Sequence, residues 1–550
     1  MKRDPKAYTA VIYFHGIGNP RRHVSLAQFL DYFDRFGERQ GKDQIGKPRD
    51  FTYGSDLLGD QEPTHYVSFK RVIEVAGKPR VAKNIRIYEA YWAPESGGRA
   101  NALFLAFWLI KRLLNPLVVL FSRWRAFPGL RLSHLHRLIG QGITQAQAQR
   151  IERAYRDFEN WENRSTYRKG SFTEFREFCS KRISGDLQAI DRWKYKFRSY
   201  NYSLSFYASI VTACSVFIIL IIARSFSNFL ANFYDFGFRL NHLYSFDATA
   251  SAIGLILGGY LYAKGDSYVL DVVAWTADTE RGERFQAKDR VVKYGQSLLR
   301  RVTSDPRCQE CVVIGHSLGT SIASEALLRE GRLALITDDA EAKARISALA
   351  KVKYVFTVGS PVDRIFYLFQ TDSSFSHRYS RLIEEQRLAV DLPPFAIPQS
   401  KAEARIVNFW SRFDPISSEI SSLRKNSSDR RDAIINIEAL PPAAPLPIGS
   451  HTSFFADAAV MKPIYWATMT GRLPRDFQLR DKVRKLPLFF GRGSVVALLL
   501  IFTGAFWSLA TWTAPAVTGI TAVIGIAVIA YQRRAALKKH SDEFGDFIQR

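Results

Sequence analysis

Residues 315–319 read Gly315-His316-Ser317-Leu318-Gly319 and follow the apolar run Cys311-Val312-Val313-Ile314. A β-branched run that ends in G-x-S-x-G and opens onto the helical pattern from Thr320 to Leu327 spells strand, sharp turn and helix, with the serine hydroxyl lifted at the turn. Gly315 and Gly319 flank it because so tight a turn leaves no room for side chains. The chemistry on offer is nucleophilic attack by Ser317. A serine hydroxyl is a poor nucleophile at neutral pH unless an imidazole takes its proton and a carboxylate holds that imidazole in the right tautomer.

On a sheet that carries such a turn, the acid and the base follow the serine in the chain. The histidines beyond Ser317 are His377, His451 and His540. His377 lies in the polar stretch Thr371–Ser380, which reads as a surface loop, and His540 lies in the C-terminal tail. His451 comes after the last expected strand, where a loop can reach back over the sheet edge, and is the expected base. Asp414 follows the expected strand 404–410 and precedes Pro415. A carboxylate at the C-terminal end of a strand projects into the crevice that holds the serine, so Asp414 is the expected acid. Asp363, after Gly359-Ser360-Pro361, is its competitor one strand earlier. The oxyanion of a tetrahedral intermediate needs donors. The N–H of Leu318 is one candidate. The N–H of Ile17 is the other, in the segment His15-Gly16-Ile17-Gly18 that ends the first strand.

These residues need a scaffold. Thr9–Phe14 reads as a buried strand, and Val24–Gln40 has helical spacing with Leu26, Phe29, Leu30, Phe33 and Phe36 on one face. His65–Val75 and Asn84–Trp92 read as a strand pair turned at Gly77-Lys78-Pro79. Phe285–Val302 is an expected helix, and Val352–Val358, Ala404–Trp410 and Ala433–Glu438 are expected strands. Strands alternating with helices predict an α/β fold, a mainly parallel sheet with helices on both faces.

The pieces together resemble an α/β-hydrolase of the serine lipase and esterase type. They are Phe14-His15-Gly16-Ile17-Gly18, the 315–319 turn, Thr357-Val358-Gly359-Ser360-Pro361, Phe413-Asp414-Pro415-Ile416-Ser417 and Gly449-Ser450-His451-Thr452. They occur in that family's order and cover about half of the chain. The resemblance implies a Ser317–Asp414–His451 triad that cleaves carboxylic esters, with no metal and no cofactor. The same triad can act on thioesters or pass an acyl group to an alcohol. A non-catalytic membrane protein that keeps the scaffold for partner binding is the alternative from another class. The departure from the family is a long insertion at 96–265 and a C-terminal apolar hairpin.

The chain has 550 residues and a net charge of +25. Such an excess fits nucleic acid or an anionic membrane surface. No zinc-finger, helix-turn-helix or RNA-binding pattern is present, which excludes nucleic acid as an expected partner. Long uncharged stretches favour the membrane. Ser199–Ala223 exceeds the ~20 residues a bilayer requires, Ala248–Ala263 is a shorter run with Gly254-x-x-x-Gly258, and Gly493–Gln532 is long enough for a hairpin about Pro515. Residues 101–121 are apolar but carry Lys111-Arg112 at their centre. They are expected to lie in the interface rather than cross, because buried charges cost several kcal/mol. With Trp108, Phe121, Trp124 and Phe127 among Arg123 and Arg125, residues 101–140 could wall a lipid path to the site.

The expected organisation is therefore a hydrolase core split between 1–95 and 266–480, with the membrane-associated insertion 96–265 between them. Within that insertion 122–198 is basic and helical. The transmembrane hairpin 493–532 and the basic tail 533–550 follow the core. Lys194, Lys196, Arg198 and Lys264 bracket the first hairpin, and by the positive-inside rule they put the catalytic domain in the cytoplasm of an inner membrane of bacterial type. No signal peptide is expected, since Asp4 follows Lys2-Arg3 and the run Tyr8–Phe14 is too short. The expected partners are a lipid or other ester and a bilayer rich in anionic lipid. The cysteines Cys179, Cys214, Cys308 and Cys311 are too few for a disulfide framework, and Cys308-x-x-Cys311 lacks the second pair a structural zinc site needs.

Overall fold

A computed structural model describes residues 7–16, 22–39, 45–57, 63–75, 78–96, 117–121, most of 131–164, 171–201, 283–337, 339–363, 392–397, most of 403–420, 434–443 and 447–474, with isolated residues between them. The expected spans 248–263 and 493–532, the tail 533–550 and all of 199–223 except 199–201 and 205 lie outside the described residues, as do 101–116. Among the described residues no helix is long and apolar enough to cross a membrane.

The elements run β1 (Tyr8–Phe14), α1 (Val24–Arg39), β2 (Lys47–Asp56), β3 (Thr64–Val75), β4 (Lys78–Ala90), α2 (Gln145–Arg164), α3 (Phe172–Arg182), α4 (Glu283–Ser304), β5 (Cys308–His316), α5 (Leu318–Ile336), α6 (Asp339–Leu349), β6 (Val352–Val358), β7 (Arg405–Trp410), β8 (Ile434–Glu438), α7 (Pro447–Thr452) and α8 (Ala458–Thr470). Eight strands form one mixed sheet in the order β2-β3-β4-β1-β5-β6-β7-β8. The run β4-β1-β5-β6-β7-β8 is parallel, and β2 and β3 add an antiparallel edge. The fold is α/β.

Strand β1, first in the chain, sits in the middle of the sheet with Val11 opposite both Ile87 and Val312. All seven of its residues are buried, as the unbroken apolar run TAVIYF requires of a central parallel strand. The sheet separates two cores. On one face α1 and α8 cover Val11, Tyr13, Phe356 and Phe409 through Phe29, Phe33, Ile464 and Tyr465. On the other, α4 and α5 cover Ile12, Phe14, Val313 and Val355. The same second core includes Ile151, Tyr155 and Phe158 of α2, Phe175 and Cys179 of α3, and Trp193 and Phe197. The described residues of the basic region expected at 122–198 therefore turn their aromatic stripe onto the sheet domain's own core, with Arg131 and Asp186 buried among them. Glu330 of α5 is buried, and Arg300 and Arg345 with Gln296 bind its carboxylate and tie α4, α5 and α6 together.

Strand β2 has no counterpart among the expected elements. Its sequence KPRDFTYGSD lacks apolar alternation because it is an exposed edge, with Lys47, Arg49 and Asp50 all exposed. The expected turn at Gly77-Lys78-Pro79 is tighter than read, since Lys78 and Pro79 already belong to β4. Cys308 and Cys311 are buried on β5, and burial pushes the Cys308 thiol up to about 11.

Candidate active site

Strand β5 delivers its chain to the sheet's C-terminal edge and reverses there into α5. Ser317 occupies the reversal with φ 53° and ψ −128°, a conformation that L residues rarely adopt and that a sharp strand-to-helix turn imposes. The flanking glycines are needed for contact. A Cβ at Gly315 would lie 2.7 Å from Thr320 Cα, and one at Gly319 would lie 2.3 Å from the carbonyl oxygen of His15. The close approach at Gly319 lets the end of β1 lie against the start of α5. Gly16 lies beside Ser317 as well, because a Cβ there would stand 3.0 Å from Ser317 Cβ.

His451 lies in the six-residue helix α7 rather than in a loop. Its Nε2 is 2.8 Å from Ser317 Oγ, and its Nδ1 is 2.8 Å from Asp414 Oδ2. Ser317, His451 and Asp414 thus form one hydrogen-bonded chain from residues up to 134 positions apart. Asp414 is fully buried. Burial alone would raise its carboxyl; the His451 ring, the N–H of Ile416 at 2.8 Å and the Ser417 hydroxyl outweigh that and hold it below the usual carboxylate range. An ionised Asp414 facing Nδ1 fixes the tautomer in which Nε2 accepts a proton. Asp363 is also buried, just past β6, but the Nδ1 position is taken by Asp414. His377 and His540 lie outside the described residues.

His316 and His15 have parts that residue type alone did not suggest. The His316 ring stacks on His451 at 5.5 Å, and its Nε2–H donates to the His451 carbonyl at 3.2 Å. Burial, with the neighbouring His451, pushes the His316 imidazole down to about 4, so it is a neutral brace for α7. His15 is fully buried, stacks on Trp92 at 4.7 Å and is pushed down to about 4 by burial. Trp92 Nε1–H donates to the His15 carbonyl at 3.1 Å, and His15 Nδ1 lies 2.8 Å from the Gly16 carbonyl. These bonds fix the backbone at the end of β1 next to Ser317. Gly359, at φ +65°, sits under His451, and a Cβ there would lie 3.3 Å from the ring's Cε1. Ser360 and Thr320 are given no part by the sequence. Thr320 Oγ1–H donates to the Ser317 carbonyl at 2.7 Å and lies 3.0 Å from Ser360 Oγ.

For an oxyanion, the N–H of Leu318 belongs to the first turn of α5, where backbone donors have no partner within the helix. Ile17 lies outside the described residues. Among the described residues no group of three His, Cys, Asp or Glu side chains is arranged to hold a metal ion. No family model, curated protein or solved structure matches this chain.

Proposed function

We propose that this chain is a membrane-bound serine hydrolase of the α/β-hydrolase kind that cleaves carboxylic esters, lipid or other acyl esters above all. The unbroken relay from Ser317 Oγ through His451 to Asp414, on a strained serine between a strand and a helix, carries the reading. The sheet supports it too, since the serine strand β5 has as its neighbour β1, the strand that leads into His15-Gly16.

In this mechanism Ser317 Oγ attacks the ester carbonyl as His451 Nε2 takes its proton. Asp414 stabilises the imidazolium. The N–H of Leu318, with that of Ile17 as second donor, meets the oxyanion. The imidazolium then protonates the departing alcohol, leaving an acyl group on Ser317. Water, deprotonated by the same imidazole, releases the acid and restores the serine. The basic excess and the uncharged stretches support a bilayer with anionic lipid as the setting in which the substrate is met.

The test uses full-length protein in detergent with a fluorophosphonate probe and a panel of lipid classes. Wild type is expected to label and to release fatty acid, and Ser317→Ala to do neither. An unlabelled wild type, or equal turnover by Ser317→Ala, refutes the proposal.

A further inference from the structure

One row of polar side chains crosses the parallel half of the sheet where apolar ones are the rule. Thr357 of β6, Asn408 of β7 and Asn436 of β8 are in register with one another. Asparagine is depleted in strands, and a buried amide is costly unless its donors and acceptors are met. Here they are met in a directed way. Asn408 is fully buried; its Oδ1 accepts from the Thr357 hydroxyl at 2.9 Å, and its Nδ2 donates to Asn436 Oδ1 at 2.8 Å and to the Ser418 carbonyl at 3.0 Å. Asn436 Oδ1 also accepts from the N–H of Ile420 at 2.9 Å, and its Nδ2 donates to the Ile420 carbonyl at 3.1 Å.

Ser418 and Ile420 close the segment that carries the acid. The chain leaves β7 at Trp410, passes Asp414 and returns to Ser418 and Ile420, which the two amides grip. The Ser418 N–H donates to the Ser360 carbonyl at 3.2 Å, and Ser360 Oγ touches the Thr320 hydroxyl that holds the Ser317 carbonyl. One hydrogen-bonded network therefore joins the acid segment to the nucleophile turn by a route separate from the catalytic relay.

Resting on the hydrolase reading above, we infer that Asn408 and Asn436 are positioning residues for the acid. They latch the far end of the segment Ser411–Ile420 so that Asp414 is held from both sides against His451 Nδ1. Strand β7 holds the near end. Beyond it the segment is otherwise tied by the Ser411 N–H to Ser417 Oγ at 3.1 Å and by the Ser418 N–H to the Ser360 carbonyl. The amides add the bonds to the Ser418 carbonyl and to both backbone groups of Ile420. Released at Ser418 and Ile420, the segment lets Asp414 drift from the ring, and the imidazolium loses its counter-charge. Displacement on the ångström scale in a catalytic group costs up to about a hundredfold in rate. Loss of an adjacent anion lowers the pH at which an imidazole gains its proton.

The experiment compares Asn408→Ala, Asn436→Ala and Thr357→Val with wild type, all as full-length protein in detergent, for fluorophosphonate labelling, ester turnover and the pH–rate profile. Thr357 bonds Asn408 but not the acid segment, so Thr357→Val controls for loss of a buried hydrogen bond in the same row. Both alanine variants are expected to lose about 10- to 100-fold in kcat with KM little changed, and the acid limb of the profile is expected to move to lower pH. Thr357→Val is expected to lower the thermal midpoint and leave kcat and the limb where they are. Should Asn408→Ala not accumulate as folded protein, Asn436→Ala carries the test, since Asn436 is only half-buried and at the less enclosed end of the row. Folded Asn436→Ala with the kcat and acid limb of a labelled wild type overturns the latch alone. A wild type that does not label overturns the hydrolase reading and the latch together.

Discussion

Asp414→Asn changes one buried atom of the relay and leaves the shape of the site unchanged. The carbonyl oxygen of the new amide can still accept from the Ile416 N–H, as Oδ1 does now at 2.8 Å. Two things are lost. The first is charge: an opposite charge about 4 Å from the imidazolium, at an effective dielectric constant of about 20, is worth about 4 kcal/mol. At 1.36 kcal/mol per power of ten, that is about a thousandfold in rate. The second is the tautomer. The carboxylate accepts from Nδ1–H at 2.8 Å, whereas an amide N–H in its place donates to Nδ1. The ring proton then moves to Nε2, which lies 2.8 Å from Ser317 Oγ and can no longer take the serine's proton. Together these predict a fall in kcat/KM of about 10³- to 10⁴-fold on a soluble short-chain ester at pH 7. KM should be little changed, because Asp414 is fully buried behind the ring and does not face substrate. Asp363→Asn is expected to keep near wild-type turnover in the same assay. A loss of less than tenfold in Asp414→Asn, or an equal loss in Asp363→Asn, refutes the assignment of the acid.

Gly319→Ala would put a Cβ 2.3 Å from the His15 carbonyl oxygen and 2.4 Å from that of Phe14, so it is expected to cost at least about 3 kcal/mol and to lower the thermal midpoint. Gly16→Ala meets only Ser317 Cβ at 3.0 Å and His316 Nδ1 at 3.2 Å, and is expected to fold while slowing the chemistry; equal stability of the two variants would refute this reading of the contacts. His15 and His316 are both pushed down by burial to about 4, from an ordinary value of 6.5. Each therefore binds its proton more tightly in the unfolded chain. Their contribution to stability is whole above pH 6.5 and falls away as the pH drops towards 4, by on the order of 3 kcal/mol for the fully buried His15. Thermal midpoints between pH 7 and 4.5 should show that decline, and His15→Phe, which keeps a ring against Trp92, should flatten it; an unchanged slope would count against a buried neutral His15.

The sheet was legible where its strands are central. A run such as Ala10–Phe14 leaves little choice but burial on both faces, and Val355–Val358 is likewise buried throughout, its end falling where the turn residues Gly359-Ser360-Pro361 begin. Strand β2 was illegible for the opposite reason, since an edge strand half open to water can carry Lys47, Arg49 and Asp50 without an apolar period. In the site, a local pattern exposes Ser317, and its position past a strand singles out Asp414. Neither signal could reach Asn408 and Asn436. A polar residue inside a strand reads as a weakness in the strand, and its partners at Ser418 and Ile420 are assigned only by folding. His316 reads as part of the turn, but its partner stays hidden, because its hydrogen bond spans 135 positions to a carbonyl in α7.

The sheet also limits how the chain can relate to a bilayer. β4 and β5 both pair with β1, so the chain that leaves at Ala90 returns at Cys308 to the same body. Between them, Val119, Phe197, Trp275 and Val291 all lie in the core that holds Phe14 and Trp92. Each is therefore on the same side as the sheet, and the number of crossings between successive anchors must be even. From Trp92 to Val119 the sequence holds one apolar stretch, with Lys111 and Arg112 at its centre. From Phe197 to Trp275 there are two uncharged stretches, 199–223 and 248–263, which must cross together or not at all. A reporter fused at residue 235 therefore decides for both. Read on the opposite side from one at residue 340, it requires the hairpin; read on the same side, it removes both spans at once.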